Sequence, residues 1–499
     1  MHSTQASSGQ GAATVPAKAS AVVLGAGLAG LAAGAVLADG GRRPLVFEAG
    51  PEVGGLSRTL SHGGFRFDIG GHRFLTRNRR VEAYVRELVG SDLLEVPRKS
   101  VIHMLGRSFD YPLSPANALF GLGLATTAAI ISDYCKERLR AWLTRPAVVS
   151  LEDWVVGQFG RRMFDLYFKD YSEKVWGLSG QEISEAWVAQ RIQGLSLWTA
   201  IKNAFTRLSG RDVPTLADSF LYPAQGIGEI AQRLAERICR QQPLLTRTRV
   251  TRLAHAQGRI TGIHAENGQQ RFQVAPEEVV ASIPLSHLVR MLSPQAPAAV
   301  RAAADRLRFR DLVIVTIMVA REEVTDCTWL YLPGADIPFG RIHEPTNWSR
   351  QLAPPGYSHL VAEYFCFQGD RIWSLDDQAL IKLTVQHLAR LGYIEAGEVT
   401  DGCVHRCPQA YPLFEVGYQE LCDQILDYLA GFANLQVVGR GGLFRYYNMD
   451  HALASGMAAA EAILARQPAA HPLAARQPER RLANRPAPVA AGAVQAAAS

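Results

Sequence analysis

No stretch of this 499-residue chain is long and apolar enough to span a bilayer: the longest apolar run, Ala118 to Ile131, is broken by two Thr and two Gly. It reads as a buried helix, with contact at a membrane surface left open. The first 20 residues are Ser-, Gly-, Ala- and Gln-rich and lack an apolar centre, which excludes a secretory signal. Cysteine is sparse and scattered, at 135, 239, 327, 366, 403, 407 and 422. Cys403 and Cys407 bracket His405 without a second ligand pair nearby, so no metal site is expected, and the odd set fits reduced thiols and a cytoplasmic setting. The net charge of +6 has little local strength: from Arg466 onward five Arg face one Glu, and the remainder is close to neutral. That argues against a nucleic-acid surface while leaving room for a small anionic substrate. No internal repeat is visible.

The informative stretch runs from Ala21 to Thr59. Ala21-Val22-Val23-Leu24 reads as a buried parallel strand, followed by Gly25, Gly27 and Gly30 in GxGxxG spacing, a helix from about Leu28 to Leu37, and a second strand, Pro44 to Phe47, ending at Glu48. In such a unit the first glycine makes the turn, the second admits a pyrophosphate, and the third lets helix and strand pack closely. The helix N-terminus offers N–H groups to phosphate, and Glu48 can accept from ribose hydroxyls. A second glycine turn, Gly54-Gly55-Leu56-Ser57-Arg58-Thr59, leads to Asp68-Ile69-Gly70-Gly71-His72. No second GxGxxG offers a dedicated NAD site.

The arrangement of the two glycine turns resembles the FAD-binding pattern of the amine oxidase, phytoene desaturase and protoporphyrinogen oxidase superfamily, which makes FAD the expected cofactor. The resemblance implies an α/β fold: a Rossmann-like FAD-binding domain of the glutathione reductase/amine oxidase type, with a helical cap and a second mixed sheet. Residues 1–19 are expected to be a disordered leader, 20–99, 222–305 and 400–465 the discontinuous FAD domain, 100–221 the cap, 306–399 the substrate-side sheet, and 466–499 a disordered Ala/Pro/Arg tail. Strands are expected over 308–320 and 358–367, an amphipathic helix over Ala379 to Leu391, a strand from Leu435 into Gly439-Arg440, and a last helix from Asp450 to Ala465, its N-terminus towards the flavin.

Three further stretches carry a narrower likeness: Tyr171-Ser172-Glu173-Lys174-Val175-Trp176-Gly177 with Gln190-Arg191-Ile192, then Pro338-Phe339-Gly340-Arg341-Ile342, then Gly439-Arg440 with Arg445-Tyr446-Tyr447-Asn448-Met449-Asp450. Together they are similar to UDP-galactopyranose mutases over roughly residues 20–465. The likeness implies that Arg191 and Arg341 clamp a diphosphate, that Tyr446, with Tyr447 beside it, reaches the same group, and that Tyr171 and Trp176 line the nucleotide pocket. It also implies that Arg440 lies near the flavin and His72 beside its reactive edge. Two guanidinium forks suit a diphosphate leaving group. The implied reaction has no net redox change, reduced FAD supplying the nucleophile. The chain departs from the mutase pattern at Leu75, where bacterial mutases have a second histidine, at Asn448 for Asp, and at Val175 for a polar residue. The FAD half fits a net oxidoreductase equally well, a desaturase, amine oxidase or protoporphyrinogen oxidase-like enzyme acting on an apolar or amine substrate. A non-catalytic flavoprotein is the third reading.

Overall fold

The computed structural model describes residues 15–104, 106–111, 124–144, 146–191, 219–268 and 270–465. The tail expected from 466 and most of the expected leader lie outside these residues.

Four short parallel strands build the nucleotide-binding layer in the order Leu435–Val437, Val279–Ala281, Ala21–Leu24, Pro44–Phe47. Every residue of these strands is buried, as a parallel sheet covered on both faces requires. The helix Leu28–Asp39 leaves the first strand and is buried along nearly its whole length. It packs against Gly228–Cys239 on one side and the last helix, Met449–Leu464, on the other. A Cβ at Gly456 would lie 2.0 Å from the Ala29 carbonyl oxygen, so only glycine permits that crossing. Residues far apart in sequence thereby meet at one end of the sheet.

A five-stranded sheet lies beside this layer, in the order Lys18–Ala19, Gln270–Pro276, Arg259–Asn267, Arg249–Ala256, Leu292–Ser293. The expected leader therefore ends earlier than residue 19: Lys18 and Ala19 pair in parallel with Ala275 and Pro276.

The third layer is a seven-stranded sheet, in the order Val399–Pro412, Phe309–Val319, Ser358–Cys366, Arg341–His343, Trp329–Tyr331, Ser100–Met104, Arg107–Tyr111. Two expected boundaries shift here. The hairpin 100–111 joins this sheet instead of opening the cap, and Val399–Pro412 pairs along Phe309–Val319 instead of belonging to the FAD layer. The latter run carries Gly402 and Pro408, which disguise a strand; as an edge strand it tolerates both.

The helical cap consists of Leu124–Thr144, Leu151–Phe159, Arg161–Met163, a π turn over Phe164–Phe168, Lys169–Trp176 and Glu185–Arg191. Ser150 and Asp153 form a reciprocal capping box at the second helix, and Gly177, in the left-handed conformation, ends the Lys169–Trp176 helix. Of the apolar run 118–131, only its helical part from Leu124 is among the described residues; Ile130 is buried there and Ile131 exposed. No helix among the described residues is long and apolar enough to cross a membrane.

Candidate active site

The glycine turn has the shape its spacing demands. Gly25 sits at φ +93°, and its N–H donates to the Phe47 carbonyl at 2.8 Å. A Cβ on Gly30 would fall 2.0 Å from the Gly25 carbonyl oxygen, whereas a Cβ on Gly27 would meet nothing within 4 Å. One glycine thus serves packing, and the other borders open space at the start of the Leu28–Asp39 helix. That helix has no side-chain cap and no acid in its first turn, which suits a phosphate. Glu48 accepts from the Ala26 N–H at 2.8 Å and from the Gly50 N–H at 2.7 Å. Each carboxylate oxygen keeps a second lone pair for a ribose hydroxyl. The second glycine turn docks on the first: the Gly54 N–H donates to the Ala26 carbonyl at 2.7 Å, and Gly55 approaches the Gly27 backbone. Ser57 is buried, and Arg58 donates to the Gly55 carbonyl at 2.9 Å and pairs with Glu52 at 3.6 Å. Gly439 lies against Ala29 and donates to Ser455 Oγ at 3.0 Å. Asp450 stands in the first turn of the last helix, paired with His451 at 3.0 Å. These residues fit an FAD pyrophosphate and ribose.

The facing wall comes from strand periodicity. Tyr331, Arg341 and Glu363 are register partners on three adjacent strands, so they form one row across one sheet face. Trp329, His343 and Phe365 lie two residues from members of that row and share its face. Glu363 is fully buried and pairs with Arg341 at 2.7 Å. It also accepts from the Gly71 N–H at 3.1 Å, which ties the Gly70-Gly71-His72 turn to the wall. Gly70 itself faces the Glu363 carboxylate.

From Arg341 a ladder of alternating guanidinium groups and rings extends both ways. Arg341 lies 5.4 Å from the Trp329 ring centroid, and Arg73 lies 4.5 Å from the same ring. In the other direction Arg341 donates to the Tyr411 hydroxyl at 3.0 Å, Arg440 lies 4.7 Å from the Tyr411 ring, and 5.3 Å from the Tyr446 ring. Arg341 also sits 4.8 Å from Phe365. Cation–π contacts of this kind contribute about 0.5–2 kcal/mol each. They keep cations in place without neutralising them. Glu363 is the carboxylate that pairs with Arg341, and the buried Arg341 Nε has no hydrogen-bond partner among the described residues. The face is set up for an anion.

His72 completes the site. Burial lowers its pKa to about 4; its bond to Gly70 opposes that, and the charges of Arg440 and Arg341 add to it. Its Nδ1 lies 3.0 Å from the Gly70 carbonyl oxygen, which can only accept. The neutral ring therefore carries its proton on Nδ1 and presents Nε2 as an acceptor.

Most of the expected residues lie on these walls, with three differences. Trp176 is buried among Trp187, Tyr411 and Phe414, with ring centroids 5.0 to 6.3 Å away in edge-to-face contacts, and is packed into the core. Tyr447 stacks on His451 at 5.5 Å, while Tyr446 meets Trp187 and Phe414 edge-on. Arg191 ends its helix, and its side chain lies outside the described residues. Tyr171 is edge-on to Tyr331 at 5.8 Å. Lys174 donates to three carbonyls, those of Leu332, Gly334 and Ile337, at 2.5 to 2.8 Å, and so fastens the loop that leads into the Arg341 strand. Sequence reading missed Glu363, Tyr411, Arg73 and Tyr331. For Glu363 the signal was present: a lone carboxylate in Leu360-Val361-Ala362-Glu363-Tyr364-Phe365 has to be paired if it is buried. For Tyr411 there was none, since a bulge at Gln409 (φ +54°) sets its direction. No group of residues that could hold a metal occurs among the described residues.

Comparison with known proteins gives the fold and the family. A crystal structure of reduced UDP-galactopyranose mutase superposes with a TM-score of 0.79 at 22% identity, covering 93% of this chain and 98% of that one. Cyclohexylamine oxidase from Brevibacterium oxydans superposes at 0.61 and 15% identity, covering 90% and 99%. At these identities the likeness is one of fold. Among curated sequences, coproporphyrinogen III oxidase of Mycobacterium leprae is 24% identical over 429 residues, 81% of this chain and 90% of that protein. All-trans-retinol 13,14-reductase of Rattus norvegicus is 48% identical over 58 residues, 12% of this chain; the match spans only 10% of the reductase. The model of the flavin-containing amine oxidoreductase family matches residues 28–464. The protein therefore has FAD as its cofactor and belongs to the flavin-containing amine oxidoreductase family of enzymes.

Proposed function

We propose that the protein acts on a diphosphate-linked sugar nucleotide, as UDP-galactopyranose mutase does by name, and that the arginine–aromatic ladder receives the diphosphate. The observation that carries this reading is the ladder's composition: three guanidinium groups, Arg73, Arg341 and Arg440, gathered along the rings of Trp329, Tyr411 and Tyr446, with Glu363 paired to Arg341. When bound, FAD supplies a nucleophile in its reduced form or a two-electron acceptor in its oxidised form. The chain's own residues do the rest. Glu363 pairs with Arg341 from the neighbouring strand and, with Tyr411, fixes its guanidinium in place. Tyr411 and Tyr446 flank Arg440. Neutral His72 can accept a proton at Nε2. Trp329 and Phe365 keep water from the guanidinium faces, which strengthens each charge-assisted bond.

A second reading has its own support. The curated relatives are by name an oxidase and a reductase, and the same ladder would take the carboxylates of a substrate that undergoes net oxidation. Anaerobic titration of oxidised and dithionite-reduced enzyme with UDP and UDP-galactose separates the two. The sugar-nucleotide reading expects binding that Arg341→Ala weakens by about a hundredfold, poor rescue by Arg341→Lys, and turnover that needs reduced flavin and consumes no reductant. Absence of binding in both redox states, with stoichiometric flavin reduction by a carboxylate-bearing substrate, overturns it.

A further inference from the structure

The Leu124–Thr144 helix has two unlike faces. Thr127 and Ile130 point into the protein and are buried, with Tyr134 half-buried beside them. Asp133 accepts from the Arg162 N–H at 2.9 Å, and Gly160 lets the next segment close on Tyr134. A second face, centred about 120° round the helix from Thr127 and Ile130, carries Ile131, Cys135, Leu139, Trp142 and Leu143, at the helical spacing i, i+4, i+8, i+11, i+12. All five are exposed, Trp142 by 67%, Leu143 by 65% and Leu139 by 59%. Val148 and Val149, just beyond the helix, are exposed as well. So many large apolar side chains on one helical stripe are unusual for a protein surface that meets only water.

The charges around the stripe identify its partner. At 100° per residue, Arg138 borders one edge, and Lys136 and Arg140 border the other; all three are exposed. The helix's two acids after Ile131 lie away from the stripe: Asp133 is half-buried, and Glu137, 14% exposed, sits under Arg140 at 3.7 Å. An apolar stripe holding a Trp, rimmed by cations with the acids turned inward, matches the interface of an anionic phospholipid bilayer, with the helix lying in the plane and the Lys and Arg heads reaching the headgroups. We infer that this helix docks the protein on such a surface. The helix belongs to the cap: it packs on Leu151–Phe159 and Arg161–Met163, which lead directly into the segment bearing Tyr171 and Lys174. The inference is independent of the substrate reading, because it is tested by membrane association alone.

The test is co-sedimentation of the FAD-loaded full chain with vesicles of phosphatidylcholine containing phosphatidylglycerol, against phosphatidylcholine alone. Binding is expected only to the anionic vesicles and should fall as salt is raised. Leu139→Asp with Trp142→Asp should abolish it. Lys136→Gln, Arg138→Gln and Arg140→Gln should weaken it by about fivefold per cation removed. Retained flavin absorbance shows that the variants are folded. An environment-sensitive fluorophore on Cys135 should blue-shift on adding anionic vesicles, while the same label on Cys239, exposed on a different helix, should not. No binding to anionic vesicles, binding that survives both sets of substitutions, or a dimer in lipid-free sedimentation that Trp142→Asp dissolves would each overturn the inference, the last by making a second copy the occupant.

Discussion

Glu363→Gln tests the charge logic of the ladder with one atom changed. Gln keeps the shape and can still accept from Gly71, so the substitution removes charge and little else. In the free enzyme it leaves Arg341 beside a neutral amide in a site where Glu363 is fully buried and Arg341 only 16% exposed. Breaking a buried ion pair from one side costs about 3–5 kcal/mol. Unfolding entropy of about 2.1 cal/mol/K per residue over 499 residues gives about 1 kcal/mol per degree, so the melting temperature should drop by about 3–5 °C. Binding should move the other way. An anion held about 5 Å from Glu363 feels a repulsion of about 3 kcal/mol at an effective dielectric of ~20. Removing that repulsion should tighten UDP or diphosphate by up to about a hundredfold. Saturating ligand at 100 Kd then returns about 2.7 kcal/mol of stability. Calorimetric melting with and without UDP, together with isothermal titration, measures both halves. A Glu363→Gln protein that melts with the wild type, or that binds anions more weakly, refutes the assignment of Glu363 as the charge that balances Arg341 in the free site.

Gly27→Val should place a branched side chain in the open space at the helix N-terminus and yield a folded protein lacking FAD, read from the ratio of visible to ultraviolet absorbance. The response to acid has two opposed sources. His72 and His359 are each held in the fold with a pKa lowered to about 4, so between about pH 6.5 and 4 the unfolded chain holds the extra protons and stability falls on acidification. Burial raises Asp68 to about 7, so over pH 4 to 7 the native state holds the proton and stability falls as pH rises. Asp68→Asn should therefore steepen the loss of stability on going from pH 6.5 to 4, as measured by urea titration at several pH values; an unchanged slope would count against a proton on Asp68 in the native state. Lys174→Met should speed amide exchange over Leu332–Ile337, whose carbonyls the ammonium gathers, while leaving exchange in the Ala21–Leu24 strand unchanged.

What the sequence made legible follows from how local each signal is. The strand–turn–helix at Ala21–Asp39 is written in adjacent residues, since one glycine must turn, one must pack and one must face the cofactor, and these demands fall within six positions. Arg341 and Arg440 were readable as members of short motifs. Their partners were not, because a sheet face is assembled from strands whose order the sequence does not state. Tyr331, Arg341 and Glu363 lie on three strands, and only their register places them in a row. Trp176 shows the converse. Its motif pointed to a pocket, but its environment is set by Trp187, Tyr411 and Phe414, which come from two other parts of the chain and bury it. The same reasoning says where a substrate switch within this fold would be found. The FAD turns are constrained by backbone approach, where a single Cβ is excluded, and have little freedom to change. The row Tyr331, Arg341, Glu363 is constrained by charge balance and, through Glu363, by the bond to the Gly71 N–H. On the proposed reading, a change at Tyr411 alters which anion fits while leaving the Gly25–Gly30 turn alone, whereas a change at Glu363 also reaches the Gly70-Gly71 turn, so the anion site and the cofactor turns are coupled through that carboxylate.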